Sequence, residues 1–467
     1  MATKTSFVLL QKVVTSGKYY IDACLLEDSC VICINRENKK NKFMPFKVMY
    51  DNNNQFWLQN ETWEYFFADD DVAKIEARVA QLTAQWAPGM TDTGPSLPET
   101  EKKPSNDGFG QGYVDFTALP EGERTQRMKE CKKRLDTLIA QKPRQEQLIT
   151  KALVETTQDA ILYNYTSLID AMTLTGDDAR KQTQNLVEST RDIVKASTQL
   201  ITANIFNDEL MNTLVSKSNG TTIQHMTRVY LKGLAFLSYY NKLVSSSSII
   251  KKLRIAFNEE YCLFYRALLP HVHLEALSLE RVFLGGMRAI PENVFYNWAI
   301  GFLVHDIGKG AAVEYHEGEA AYDRDIVIEH VKVGYTSIMN KTNYPRDAGL
   351  ITGYHHEYYG DPSGYGFYRI CLDQYKKINP QIKLDYCITY EVEPMMDYQA
   401  LAFFPAKVLE IVDVFDSLTD PNRKYRKVLT TDEAIAMMQQ EFINKHRKLD
   451  IILFDLFKRF VKEIPPS

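Results

Sequence analysis

The stretch HHEYYGDPSGYG, residues 355–366, places two adjacent histidines and a glutamate directly before a loop of small residues and tyrosines. Upstream, the segment VHDIGKG carries His305, Asp306 and Lys309. The chain has only nine histidines, and three of them fall in these two short segments. Imidazole and carboxylate groups together form the ligand set of a transition-metal site. The two segments therefore predict a metal site assembled from distant parts of the chain.

Composition bounds the class of protein. The chain has 467 residues, of which 45% are hydrophobic and 25% charged, as in a globular protein of two or three domains. The net charge of −5 argues against DNA binding. Seven cysteines without a spaced framework suggest reduced thiols. The first apolar run is too short for a signal peptide, and no window approaches a membrane span, so we expect a cytoplasmic protein.

The sequence predicts a mainly α protein with a small β-rich N-terminal domain over residues 1–86. Short runs there, such as KYYIDACLL and SCVICINR, are rich in β-branched and aromatic residues, and a helix is predicted over 71–86. A flexible linker rich in Pro, Gly and Ser is predicted over 87–122. Apolar residues at helical spacing then predict a helical connecting region over 123–184 and an all-helical catalytic domain over 185–467.

Further ligand candidates lie on predicted helices. His225 lies in TTIQHMTRVYLKGLAFL, and His330 lies in IVIEHVKVG. Asp413 lies in AKVLEIVDVFDSL between two valines. A carboxylate in an apolar helix is unfavourable unless it is paired or bound to a metal, which favours a ligand role for Asp413. Glu410 and Asp416 share its helical face, and we interpret both as structural.

These motifs resemble the HD-GYP family, a branch of the HD superfamily of metal-dependent phosphohydrolases that hydrolyses the bacterial messenger cyclic di-GMP. The resemblance covers roughly residues 185–460. It rests on His330 and on HDIGK at 305–309, HHE at 355–357, SGYG at 363–366, DVFDSLT at 413–419 and RKYRK at 423–427.

The resemblance implies a role for each matching residue. The implied metal ligands are His225, His305, Asp306, His330, His355, His356 and Asp413. Two divalent ions, iron or manganese, suit this mixed ligand set, and a pair of ions serves phosphodiester hydrolysis. Asp306 and Lys309 are the implied catalytic residues, and Lys309, Tyr365, Arg423 and Arg426 the implied substrate-binding residues. Glu357 and Asp361 are interpreted as groups that order the ligands or the loop.

The chain departs from the family pattern in three places. Thr221 stands where some members have a glutamate that holds a third metal, so two ions are expected. The loop GDPSGYG carries Pro362 and Gly366 in place of the family's glycine and proline. A helical insertion over about 244–292 could form a lid or an oligomer surface.

Three functions stay open on the sequence. The first is hydrolysis of cyclic di-GMP to the linear dinucleotide or GMP. The second is a cyclic di-GMP receptor that does not hydrolyse its ligand. The third is an HD-type phosphohydrolase that acts on another nucleotide. A homodimer, and a protein partner bound through residues 1–86, also stay open.

Overall fold

The chain forms two compact units, Met1–Phe109 and Gly110–Ser467, in the computed structural model. The structure describes four strands within residues 1–118, and then residues 119–463 except for a set of gaps. The gaps are 143–144, 173, 206–221, 271, 310–323, 360, 362, 368, 370–385, 398 and 421–427.

The first unit contains an antiparallel sheet. Its strands are β1 (Ala2–Lys4), β2 (Cys30–Asn35), β3 (Asn41–Pro45) and β4 (Trp63–Ala68), in the spatial order β1-β4-β2-β3. Within it, Cys33 pairs with Tyr65 and with Lys42. The predicted helix over 71–86 and most of the predicted linker lie outside the described residues, so the β-rich domain over 1–86 stays a prediction.

The second unit is mainly helical, which confirms the predicted mainly α class. Its α-helices, α1 to α15 in chain order, are Glu121–Ala140, Glu146–Met172, Gly176–Gln182, Gln184–Leu200, Thr222–Val244, Ser247–Ala256, Cys262–Leu268, Leu279–Val282, Glu292–Val304, Arg324–Lys341, Arg346–Tyr354, Glu393–Met396, Phe404–Thr419, Thr431–Met437 and Ile451–Glu463. Ile201–Ile205, Phe257–Tyr261 and Met438–Lys445 are π-helical, Leu274–Ala276 is a 3-10 turn, and β5 (Ile388–Thr389) pairs in parallel with β6 (Ala402–Phe403).

Two helices form the interior of this unit. Every residue from Gln224 to Leu237 in α5 is buried, and so is every residue from Phe404 to Asp416 in α13. A helix that is apolar on nearly all sides must be covered on all sides. Accordingly, α5 packs against α9, α13 and α15, and α2 also contacts it. Polar side chains on α5 and α13 are therefore held away from water.

The helices that carry the HDIGK and HHE segments pack on this interior pair. α11 contacts α9, α10 and α13, so the C-terminal ends of α9 and α11 come close to α10 and α13. Gly308 permits the closest approach, because a Cβ there would lie 2.0 Å from the carbonyl oxygen of His330. Among the residues that the structure describes, no helix has both the length and the apolar character needed to cross a membrane.

Candidate metal centre

Seven buried side chains converge where five helices meet. Each is exposed by 6% or less. They are His225 near the start of α5, His305 and Asp306 directly after α9, His330 in α10, His355 and His356 directly after α11, and Asp413 in α13. These are the seven residues that the sequence suggests as ligands, and the structure brings them into one cluster, hereafter the ligand cluster.

Asp306 lies at the centre of the ligand cluster. Its Oδ1 is 3.1 Å from His330 Nε2 and 3.6 Å from His355 Nε2. Its Oδ2 is 3.6 Å from the Nε2 atoms of His225 and His305. The two oxygens of one carboxylate therefore face two different pairs of imidazoles.

Asp413 joins the same two sides of the cluster. Its Oδ1 is 2.9 Å from His225 Nε2, and its Oδ2 is 3.8 Å from His356 Nε2. An ion bonded at about 2.0–2.2 Å keeps adjacent ligand atoms about 3–3.5 Å apart, close to the separations seen here. Two overlapping groups could hold a metal ion: Asp306 with His330, His355 and His356, and Asp306 with His225 and His305.

Hydrogen bonds to the backbone fix the tautomers of two histidines. His305 Nδ1 donates to the carbonyl of Phe302 at 2.9 Å, and His355 Nδ1 donates to the carbonyl of Thr352 at 2.8 Å. Each ring then presents a lone pair on Nε2, and neither Nε2 has a hydrogen-bond partner among the described residues. Because a buried polar atom without a partner is destabilising, a metal ion is the group that these two atoms fit.

The charges of the cluster also suit a metal. Burial lowers the pKa of His305 to about 3 and the pKa of His356 well below its ordinary value, so both rings are neutral. Burial would raise the pKa of Asp306, but the positive charge of Lys309 opposes burial, and this pKa lies well below the ordinary value. Neutral imidazoles around an ionised carboxylate are the forms that bind metals.

His225 behaves differently from the other histidines. Burial alone would lower its pKa, but hydrogen bonds with Asp413 and Asp416 outweigh burial and raise it. His225 therefore keeps its proton to a higher pH than an ordinary histidine, with Nε2 lying 2.9 Å from Asp413 Oδ1. A metal at this position must displace that proton.

Asp416 supports the ligand cluster from behind and was interpreted from the sequence as structural. Its carboxylate accepts from His225 Nδ1 at 2.9 Å, from Arg228 Nη2 at 3.0 Å and from Lys232 Nζ at 2.6 Å. Arg228 also donates to Asp420 at 2.7 Å. Asp416 thus fixes the ring of a candidate ligand while two cations balance its charge. The sequence signal for this role is two basic residues on α5, one and two turns after His225.

The structure describes some of the implied catalytic and substrate-binding residues and not others. The ammonium of Lys309 contacts the carboxylate of Asp306, and its side chain is 26% exposed. The ring of Tyr365 lies 4.5 Å from the ring of His356, between centroids. Arg423 and Arg426 lie outside the described residues, as do Thr221 and Pro362.

The loop after the adjacent histidines is tied to the ligand cluster by short polar contacts. The backbone N–H groups of Tyr365 and Gly366 donate to the carbonyl of His356 at 3.0 and 3.2 Å. Glu357 accepts from Arg369 Nε and from the Arg369 backbone N–H, both at 3.0 Å. A Cβ at residue 366 would lie 2.2 Å from Glu357 Oε2, so the glycine in the family's proline position fits a tight loop.

The far end of this loop is held by a different contact. Asp361 lies 2.6 Å from His446 Nδ1 and accepts from the backbone N–H of Ser363 at 2.8 Å. These contacts agree with the interpretation of Glu357 and Asp361 as ordering groups. Sequence reasoning did not find Arg369 or His446, because each contact joins segments whose relative position only the fold determines.

Two buried glutamates lie close to the ligand cluster. Burial raises the pKa of Glu357 to about 7 and that of Glu410 to about 8. Lys407 Nζ lies 2.5 Å from Glu410 Oε2 and opposes the shift. The interpretation of Glu410 as structural stays a prediction.

No family model matches the chain, and neither the curated proteins nor the solved structures include a match. The resemblance to the HD-GYP family therefore rests on the ordered sequence motifs, and the case for metal binding rests on the geometry of the ligand cluster.

Proposed function

We propose that this chain is a metal-dependent phosphodiesterase with a two-ion site, and that it hydrolyses cyclic di-GMP to the linear dinucleotide or GMP. The observation that carries the metal part is the arrangement of Asp306, whose two oxygens face separate pairs of imidazoles. One carboxylate between two sets of ligands is the arrangement expected where two metal ions would share a ligand.

The ligands divide between the two ions by proximity. We assign His225, His305 and Asp413 to one ion and His330, His355 and His356 to the other, with Asp306 shared. Mixed imidazole and carboxylate ligation suits iron or manganese. When bound, the ions would supply Lewis-acid stabilisation of the charge on the phosphoryl oxygens.

The chain's own residues bind and orient the substrate in this proposal. Lys309 is partly exposed, so its ammonium is able to turn from Asp306 to a phosphate oxygen and neutralise its charge. Tyr365, held over His356, forms one wall of the substrate site. Arg423 and Arg426 are proposed from the RKYRK motif to bind the phosphates, since arginine suits bidentate phosphate contacts.

The choice of cyclic di-GMP as substrate rests on the order of the sequence motifs. The altered loop at Gly366 supports a second candidate substrate. Gly366 replaces the family's proline in a segment whose backbone contacts His356. A changed loop alters substrate recognition without removing metal ligands, so hydrolysis of another cyclic dinucleotide or nucleotide is the alternative. A receptor without hydrolysis is less favoured, because the full set of candidate ligands is retained.

The deciding experiment combines elemental analysis with a turnover assay. The full chain is purified with manganese or with ferrous iron in reducing, oxygen-free buffer, and metal content is measured per chain. Each form is then incubated with cyclic di-GMP, cyclic di-AMP, the linear dinucleotide and an unactivated phosphomonoester. We expect about two ions per chain and release of the linear dinucleotide or GMP from cyclic di-GMP.

Other results separate the alternatives. Cleavage of a different phosphoester would keep the metal chemistry and replace the substrate. Tight binding of cyclic di-GMP with no product under either metal would favour the receptor. A chain that binds no transition metal would contradict the proposal.

A further inference from the structure

The helical insertion presents a regular exposed stripe on a firmly anchored helix. Ser247–Leu268 is a continuous helical segment, made of α6, the π-helical turn Phe257–Tyr261 and α7. We call it the insertion helix. Its inner face packs into the core, with Leu253, Phe257, Tyr261 and Tyr265 all buried. The hydroxyls of Tyr261 and Tyr265 donate to Asp455 and Asp450, at 2.8 and 2.7 Å.

The opposite face carries exposed residues at a strict four-residue spacing. They are Lys251, Ile255, Glu259 and Leu263, hereafter the outer stripe. An α-helix turns once in 3.6 residues, so residues four apart drift around it. The π-helical turn is wider and reduces that drift, which keeps the outer stripe close to one line. Ile255 is 63% exposed and Leu263 is 78% exposed.

The order of side chains along the outer stripe makes it self-complementary. Ile255 stands midway between Lys251 and Glu259, each one turn away. If a second copy lies antiparallel across a two-fold axis at Ile255, each Lys251 faces a Glu259 of the partner subunit. The two isoleucines then pack against each other, and Leu263 covers the first turn of the other insertion helix. Every contact occurs twice, as a two-fold interface requires.

We propose that the outer stripe of the insertion helix is a homodimer interface. A membrane surface fits it less well, because anionic lipids attract basic residues and repel Glu259 and its exposed neighbour Glu260. Arg254, which extends to Glu280 on the same chain at 2.5 Å, stays outside the contact. The anchored inner face presents the stripe in a fixed geometry, which reduces the entropic penalty of association. The proposal is independent of the proposed enzymatic function.

A contact made by one stripe per subunit lies at the small end of specific interfaces. We therefore expect a dimer with a dissociation constant on the order of micromolar, and one weakened by salt. Sedimentation of the full chain across a concentration series measures the shift from the chain mass of 53.8 kDa to twice that value.

Charge reversal tests the pairing directly. Lys251→Glu and Glu259→Lys each place like charges opposite one another twice, and each should raise the dissociation constant about tenfold or more. The double variant carrying both changes restores opposite charges and should return to within about threefold of the original value. Ile255→Asp should abolish the dimer, and Leu148→Asp, at an exposed leucine of α2, is the matched control.

Two results would overturn the proposal. One is a chain that remains monomeric at about a hundred micromolar, well above the expected dissociation constant. The other is a dimer that survives both Ile255→Asp and the single charge reversals, because its interface would then lie elsewhere. Failure of the double variant to recover while both singles dissociate and remain folded would reject the antiparallel register.

Discussion

Two of the polar clusters buried in the described part of the helical unit differ in what their atoms contact. The first is the ligand cluster. The second, hereafter the Asn164 cluster, consists of Asn164, Thr190 and Tyr344. Asn164 Nδ2 donates to the carbonyl of Ala160 and to Thr190 Oγ1, both at 2.9 Å. The hydroxyl of Tyr344 donates to Asn164 Oδ1 at 2.6 Å and lies 2.9 Å from Thr190 Oγ1.

The side chains of the Asn164 cluster hydrogen-bond to one another. In the ligand cluster, the Nε2 atoms of His305 and His355 have no hydrogen-bond partner among the described residues. His305 and His355 use Nδ1 on backbone carbonyls, and their Nε2 atoms lie 3.6 Å from Asp306, beyond a normal hydrogen bond. A buried network with all partners joins helices, here α2 and α4 to the connection after α10. A buried network whose unpaired nitrogen atoms face a common centre is suited to bind a ligand there, such as a metal ion. Substitutions in the two clusters should therefore have different effects on metal binding.

The largest effect is expected from Asp306→Ala. The substitution removes the one carboxylate that faces both pairs of imidazoles, so we expect the chain to lose both ions. If the proposed activity is correct, turnover should fall at least about 10³-fold, because the charge stabilisation at the reacting phosphate is lost. Metal content by elemental analysis and product formation are the measurements.

Asp177→Ala is the matched control, since the side chain of Asp177 is 91% exposed. It should keep metal content and turnover unchanged. An Asp306→Ala protein that still holds two ions per chain would show that the ligand cluster is assigned wrongly.

The next largest effect is expected from Asp416→Asn, which tests whether a residue that orients His225, without itself binding the metal, affects metal affinity. Asparagine still fits beside His225 but cannot balance the charges of Arg228 and Lys232. We expect metal affinity to fall about 10–100-fold, as for other groups that orient a ligand. Stability should fall by about 3–5 kcal/mol, because buried cations lose a partner.

Asp420→Asn is its control. It removes one contact of Arg228 but leaves the hydrogen bond between His225 and Asp416 intact. Stability should decrease while metal affinity stays within about threefold of the original, measured by calorimetric titration. Equal losses of affinity in the two variants would contradict a positioning role for Asp416.

The mainly helical class, and a set of candidate ligands that the fold brings together, could be predicted from the sequence for a physical reason. Helical periodicity is local, and the histidines of HDIGK and HHE stand at helix ends where a short motif fixes their direction. Asp413 could be suggested because a carboxylate on an otherwise apolar helix stands out, whereas the ligand role of His225 was implied by the resemblance to the HD-GYP family.

The supporting contacts could not be predicted in the same way. Asp416 reaches α5 across a helix interface, and His446 reaches Asp361 from another part of the chain. Such pairs depend on the rotation of one helix against another, which periodicity does not determine. The contact of Lys309 with Asp306 is local, between residues three apart in the chain, and the sequence interpretation directed Lys309 to the substrate phosphate instead.

The pH dependence of metal binding gives a smaller, graded test of the ligand cluster. His225 has a raised pKa in the metal-free protein, because hydrogen bonds with Asp413 and Asp416 outweigh its burial. A proton on Nε2 then competes with the metal at every pH below that raised pKa. Affinity should fall about tenfold for each pH unit below it and level off above it.

Manganese affinity from pH 5.5 to 8.5, measured in buffers of different ionisation enthalpy, reports the proton released. Asp416→Asn should shift the bend of this curve to lower pH, since it removes one group that raises the pKa of His225. A flat curve over the whole range would mean that the metal does not displace a proton from His225.

The smallest effect on function is expected from the Asn164 cluster. Asn164→Leu leaves the buried hydroxyls of Thr190 and Tyr344 with fewer partners, and should lower the free energy of unfolding by about 1–3 kcal/mol. Metal content and turnover should stay unchanged, because the site's atoms make none of these hydrogen bonds. Denaturant unfolding, with elemental analysis of the same sample, separates the two readouts. Loss of metal from a folded Asn164→Leu protein would show that a self-satisfied network also controls the site, and the distinction between the two clusters would fail.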